Sequence, residues 1–190
     1  MSNISKNLLV KGAKGKVGDQ FVYKTRGKKT FITSLPTINP NTVATEEQVR
    51  VRELFGEASL FAKGAITNPE LKAAYQQKKG AGQTAYNIAF RDFIKAPEVK
   101  LIDVSAYTGL AGSPIVVTAK DDFRVASVKV SIHSAAGELI EEGLAILNPI
   151  NRNKWIYSTV RENASLNGCI IRAIAKDIPE NTGSLELVLP

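Results

Sequence analysis

The distribution of apolar positions changes period twice along the chain, and the two changes divide it into three parts. From Glu98 onward the period is two. Ala126, Val128, Val130 and Ile132 alternate with Val125, Ser127, Lys129 and Ser131, the signature of a strand with one buried face. Six further runs have strand character: Val99–Ser105, Ile115–Ala119, Leu139–Leu147, Trp155–Val160, Cys169–Ala175 and Leu185–Leu189. Turn residues separate them, among them Gly112-Ser113-Pro114, Gly137, Asn148-Pro149 and Asn167-Gly168. Seven short strands at this spacing predict an immunoglobulin-like β-sandwich over 98–190, without the cysteine pair of antibody domains.

Between residues 42 and 97 the period is helical. Thr45 and Gln48 form a capping box, followed by Val51, Leu54, Phe55, Ala58, Phe61, Ala62 and Ala65 on one face. Asn68-Pro69 starts a second helix that stops at Gly80, with Leu71, Ala74 and Tyr75 inward. A third runs from Thr84 to before Pro97, with Tyr86, Ala89, Phe90, Phe93 and Ile94 expected on its buried side. These aromatic residues read as core rather than as a ligand box. Residues 1–41 differ again. Phe21–Thr25 and Lys29–Thr33 flank Arg26-Gly27-Lys28, which predicts a β-hairpin, and Leu35–Asn41 is an extended connector with two prolines. The predicted class is therefore α+β: a basic N-terminal hairpin arm (1–41), a small three-helix unit (42–97) and a seven-stranded sandwich (98–190).

Charge sharpens this division. The 190 residues carry a net charge of +7, and residues 1–40 alone hold eight Lys and Arg against the single acid Asp19. The rest of the chain is balanced, so the basic character belongs to one segment. With 44% hydrophobic residues the chain can bury a core, and no apolar run reaches the length of a membrane span. The first residues lack a signal-peptide pattern, so synthesis in the cytoplasm is expected. Cys169 is the one cysteine, which excludes an internal disulfide and predicts a buried, inert thiol.

The stretch Gly15-Lys16-Val17-Gly18, Val22-Tyr23-Lys24 and Gly27-Lys28, followed by Ser34-Leu35-Pro36, Asn39-Pro40-Asn41-Thr42, Gln48, Arg50-Val51-Arg52 and Phe55, resembles an uncharacterised bacterial and phage family with a Gly-rich hairpin and an Asn-Pro-x-Thr connector. The second half, including Val104–Gly109 and Ala175-Lys176-Asp177, is similar to bacterial immunoglobulin-like modules. The resemblance implies association with phage-like or extracellular assemblies and brings no catalytic residues.

Candidate chemistry is sparse. His133 is the only histidine, at a strand end beside Ser131 and Ser134, and reads as a surface residue rather than part of a triad or metal site. The pairs Glu141-Glu142 and Asp121-Asp122 point to opposite strand faces and read as solvated. The glycines near Lys14 and Lys16 lack phosphate-loop spacing. Asp121, Asp122, Asp177 and Glu180 follow the second and sixth strands, whose loops share an end of such a sandwich, and form a weak Ca²⁺ candidate. No cofactor and no small-molecule substrate is expected. The strongest contact candidates are Lys11, Lys14, Lys16, Phe21, Tyr23, Lys24, Arg26, Lys28, Lys29 and Phe31. Cations interleaved with aromatics meet a neighbouring subunit or, through residues 1–36, nucleic acid, or else form simply a solvated face. The expected function is a non-enzymatic structural protein of a large particle, a phage virion or phage-like assembly, built as a homo-oligomer. A nucleic-acid-binding protein is the first alternative, and a surface adhesin that binds glycan or protein is the second.

Overall fold

The computed structural model describes residues 2–4, 6–10, 12–35 and 43–190. The chain divides into two compact units, Met1–Val49 and Arg50–Pro190. The connector 36–41 and Lys11 lie outside the described residues.

The first unit is a single antiparallel sheet. Strands β1 (Ser2–Asn3), β2 (Gly15–Val17), β3 (Phe21–Arg26) and β4 (Lys29–Ser34) lie in the order β1-β4-β3-β2. The β3–β4 pair turns through Gly27-Lys28, with Arg26 opposite Lys29. Gly27 has φ +60°, the conformation that a two-residue turn demands at its first central position and that glycine adopts without a Cβ clash. This pair is not a two-stranded arm. It is flanked by β1 and β2, so both of its outer edges are hydrogen-bonded within the chain.

In the second unit, helix α1 (Glu46–Thr67, crossing the division) begins at the expected capping box: Thr45 Oγ1 accepts from Gln48 N–H, and Gln48 Oε1 accepts from Thr45 N–H. Of its predicted apolar face only Ala58, Ala62 and Ala65 are buried, while Val51 and Phe55 stay exposed. Helix α3 (Ala85–Ile94) adds Ala85, Ile88 and Ala89 to the same apolar cluster as Ala62 and Ala65, and its rings meet α1 at Phe55–Phe90 (5.2 Å) and Phe61–Phe93 (5.4 Å). Helix α2 (Pro69–Lys78) is capped by Asn68, whose side chain accepts from Glu70 and Leu71 N–H, and buries Tyr75. The buried side of α3 is rotated from the predicted one. Ala85, Ile88, Ala89 and Asp92 are inside, Tyr86, Phe90 and Phe93 are half-buried, and Ile94 is exposed.

Eight strands follow: β5 (Glu98–Asp103), β6 (Pro114–Lys120), β7 (Val125–His133), β8 (Leu139–Leu144), β9 (Ile146–Leu147), β10 (Lys154–Ser158), β11 (Ile170–Asp177) and β12 (Thr182–Val188). They form two antiparallel sheets, β5-β6-β10-β9 and β12-β11-β7-β8. One apolar cluster fills both inward faces, with Ile115, Val117, Trp155 and Tyr157 from the first sheet and Val128, Val130, Ile132, Ile171 and Ala173 from the second. Where sequence alone predicts seven strands, the run Leu139–Leu147 splits. Ala145 turns into the core and donates its N–H to Val128 O, so β8 pairs with β7 while β9 crosses to β10. A bulge between Val99 and Leu101 shifts the phase of β5, which sends Leu101 outward and Ile102 inward. Trp155 and Cys169 are buried as expected, and Cys169 Sγ donates to Ser165 O at 2.8 Å.

Helices and sheets meet at Pro97, where α3 passes into β5. A Cβ built on Gly183 of β12 would lie 1.9 Å from Pro97 O, so the strand passes flat against that backbone. Neither backbone can yield cheaply. Gly183→Ala is therefore expected to destabilise the second unit by about 2–3 kcal/mol, a Tm loss of roughly 5–10 °C. Gly64→Ala, in helix α1 with open space around it, should raise stability by up to about 1 kcal/mol. Thermal unfolding followed by circular dichroism checks both, and a Gly183→Ala protein as stable as the parent would contradict the close approach.

Candidate functional site

The basic segment forms a two-faced sheet. Residues directly opposite each other in an antiparallel pair point to the same side. The registers Lys16↔Val22, Val22↔Thr33, Lys24↔Phe31 and Arg26↔Lys29 place Lys16, Lys24, Arg26, Lys29 and Phe31 on one face. The registers Val17↔Phe21 and Tyr23↔Ile32 place Val17, Phe21, Tyr23 and Ile32 on the other. The rings of Phe21 and Tyr23 meet edge to face at 5.4 Å, as neighbours two apart on one strand face do. The nine contact candidates among the described residues are thus separated. Four cations share a face with Phe31 alone, while Phe21 and Tyr23 lie on the apolar side. Lys28 sits in the turn and Lys14 just before β2, both exposed. Lys16 pairs with Asp19 at 2.6 Å, on the surface. The apolar residues Phe21, Tyr23, Phe31 and Ile32 remain half-buried and Val17 is 43% exposed, because a single layer gives a sheet no second layer to bury it.

A second constellation, in the other unit, was not anticipated from sequence. Asp92 of α3 is 1% exposed. Its Oδ2 accepts the Tyr75 hydroxyl at 2.7 Å, and its carboxyl lies within hydrogen-bonding reach of Asp121. Oδ1 of Asp92 and Oδ1 of Asp121 are both buried and have no donor. Asp121 Oδ2 is engaged elsewhere, accepting from the N–H groups of Phe123 and Arg124. A proton held by Asp92 and donated towards Asp121 supplies the missing partner for both oxygens. Burial pushes the Asp92 carboxyl up to about 7, with Tyr75 working against the shift and Asp121 and Asp177 reinforcing it. Burial likewise raises Asp177, which holds Asn181 through N–H to Oδ1 (2.7 Å) and Nδ2–H to Oδ2 (2.9 Å). Asn181 Nδ2 also donates to Phe93 O at 3.0 Å, which ties the β11–β12 turn to the end of α3. Phe123 stacks on Tyr75 at 4.1 Å between ring centres.

These partners account for the four acids of the calcium candidate. Asp121 and Asp177 turn towards Asp92. Asp122 turns away to Lys95 (2.6 Å) and Arg91 (3.3 Å), whose charges hold it below the ordinary carboxylate range, and Glu180 pairs with Lys176. Among the described residues no group of three or more His, Cys, Asp or Glu side chains is placed to hold a metal ion. His133 ends β7, with Nε2 3.2 Å from Ser131 Oγ. The pair Glu141-Glu142 does split across the strand, but only Glu142 is solvated, beside Lys129. Glu141 is buried because its Oε2 accepts from the N–H groups of Val160 and Arg161 and so anchors that loop. The sequence does carry one signal for Asp92: it follows Ile88 and Ala89 by four and three positions, on a helical face that is otherwise apolar.

No protein-family model matches the chain, and neither does any curated protein. Among solved structures, half of the chain (50%) aligns with 24% of one described as "Crystal structure of tetra-tandem repeat in extending region of large adhesion protein", at 18% identity and a TM-score of 0.31. The chain thus spans about a quarter of that structure's length. No helix among the described residues is long and apolar enough to cross a membrane.

The protonated Asp92 has a consequence for stability. Its folded-state value, about 7, lies above the ordinary 3.8, so the folded protein holds a proton that the unfolded chain releases. That stabilisation is complete below about pH 4 and is lost as pH rises through about 7, with Asp177 acting in the same direction. Asp122 opposes it, but as an exposed ion pair it contributes little. The Tm should therefore fall between pH 5 and pH 8, and Asp92→Asn, which fixes the neutral state, should remove most of the slope and gain on the order of 2 kcal/mol at pH 8. A slope left unchanged by Asp92→Asn would show that the proton resides elsewhere.

Proposed function

We propose that this chain is a non-enzymatic structural subunit of a larger protein assembly, a phage virion or phage-like particle. Its N-terminal sheet makes the contacts between subunits and its immunoglobulin-like sandwich projects from them. The observation that carries this reading is the half-exposed apolar face of Val17, Phe21, Tyr23 and Ile32 on a sheet only one layer thick. Such a face gains its second layer by packing on the same face of another copy. The strand order β5-β6-β10-β9 and β12-β11-β7-β8 supports the immunoglobulin-like assignment, since it reproduces the A-B-E-D and G-F-C orders with an added strand beside C. Strands β1 and β2 already take both edges of the β3–β4 pair, and the contact we propose is face to face.

One observation favours nucleic acid as a second reading: Lys16, Lys24, Arg26 and Lys29 share a face with Phe31, an arrangement of cations around a stacking ring. The two faces make the readings separable. Light scattering should give a mass above the 20.5 kDa of one chain, and Val17→Lys, an exposed edge position on the apolar face, should return it to one chain. Lys24→Gln with Lys29→Gln should leave the assembly intact. Full-length protein that stays at the mass of one chain at all concentrations would sink the assembly reading. Oligonucleotide binding lost in the double variant but retained in Val17→Lys would favour the second.

A further inference from the structure

A cleft of about 670 Å³ opens in the second unit, where the last turn of α2 faces the turns after β6 and β9. Its size falls in the range of small-ligand sites. Four cations reach it from four separate places: Lys78 from α2, Lys120 from the end of β6, Arg124 from the β6–β7 turn and Arg152 from the β9–β10 turn. Lys78 is partly engaged, its Nζ donating to Phe123 O at 3.3 Å. Among the described residues Lys120, Arg124 and Arg152 form no ion pair.

The acids close by do not neutralise the cleft. Asp121 lines it, but its Oδ2 serves the backbone N–H groups of Phe123 and Arg124 and its Oδ1 is buried against Asp92. Asp122 is turned to Arg91 and Lys95. Arg124 is positioned over the Phe123 ring, 5.8 Å from guanidinium to centroid, and Phe123 is in turn fixed by its stack on Tyr75. Like charges gathered from separate elements repel one another, and an anion that bridges them relieves that repulsion. Two guanidinium groups offer the paired donors that match phosphate oxygens, and two ammonium groups add compact charge.

We propose that this cleft is a binding site for a small phosphate-bearing anion of more than one negative charge, with Arg124 and Arg152 as the principal donors and Lys78 and Lys120 completing the cradle. The site is independent of the N-terminal sheet and of the assembly reading. Phosphate carried by a free metabolite and phosphate of a nucleic-acid backbone share this chemistry, and the cleft dimensions favour the former.

Calorimetric titration of the full chain with inorganic pyrophosphate is the test. One saturable site per chain is expected, with affinity falling on the order of tenfold in Arg152→Gln, which removes one charge-assisted donor. Arg152 has no structural contact to lose, so this variant should melt as the parent does. Arg124→Gln should weaken binding at least as much. Lys24→Gln with Lys29→Gln, on the N-terminal sheet, should leave pyrophosphate affinity unchanged. Citrate at equal concentration should bind more weakly, and a twenty-nucleotide single-stranded DNA should not compete for the cleft. Unsaturable binding, an undiminished affinity in Arg152→Gln, tighter binding of citrate or equal loss in the N-terminal variant would each overturn the proposal, and displacement by the DNA would overturn the assignment to a small ligand.

Discussion

The second unit turns on the carboxyl of Asp92. Taking an ionised carboxylate out of water costs several kcal/mol, and no cation is placed against this one. The group is tolerated because burial favours its neutral form and its neighbours fit a neutral acid: Tyr75 donates to Oδ2, and Asp121 lies within reach to receive from it. The arrangement joins α2, α3 and the β6–β7 turn at one point. Asn181 extends it to the β11–β12 turn through Phe93 O and Asp177. Once α3 is seated this way, Pro97 is fixed against Gly183, and the start of β5 and the course of β12 follow.

The sheets of the two units solve the burial problem differently. Strands β5 to β12 form two layers that close on one apolar cluster, so the alternation within each strand is spent inward and the outer faces can be polar. The crossing at Ala145 lets one apolar run serve both layers. The N-terminal sheet has the same alternation without a second layer. Its apolar residues stay half-exposed and its cations crowd onto the opposite face. A single amphipathic sheet of this kind gains most from covering its apolar side, which is the physical basis for reading it as a contact surface.

Charge follows the same division. The excess of +7 belongs to the N-terminal segment, where Lys16, Lys24, Arg26 and Lys29 share one sheet face and keep it hydrated. Elsewhere acids and bases balance in number but not in place. Ion pairs such as Lys129–Glu142 and Arg172–Glu186 neutralise strand surfaces, while Lys120, Arg124 and Arg152 around the cleft form no ion pair among the described residues. A balanced total therefore conceals a local field.

Much of the fold was legible in the sequence because its causes are local. The capping box at Thr45, the Asn68 cap, the Gly27 turn and the alternation of Val128, Val130 and Ile132 act within a few residues, and each stands where the pattern puts it. The charge asymmetry of the first 40 residues needed only counting. What tertiary structure decided is which neighbour each element meets. Val51 and Phe55 of α1 stay exposed even though the Phe55 ring meets Phe90 of α3, and β8 and β9 part after Ala145, whose N–H makes the last rung to Val128 of β7 before Ile146 and Leu147 pair with β10. The register of the N-terminal sheet, not its composition, separated the cations from Phe21 and Tyr23. Asp92, Asp121 and Asp177 lie up to 85 positions apart, and sequence marks each only as an acid. Burial raises Asp92 and Asp177 because folding takes both out of water near Asp121, a property of their juxtaposition and of none of them singly.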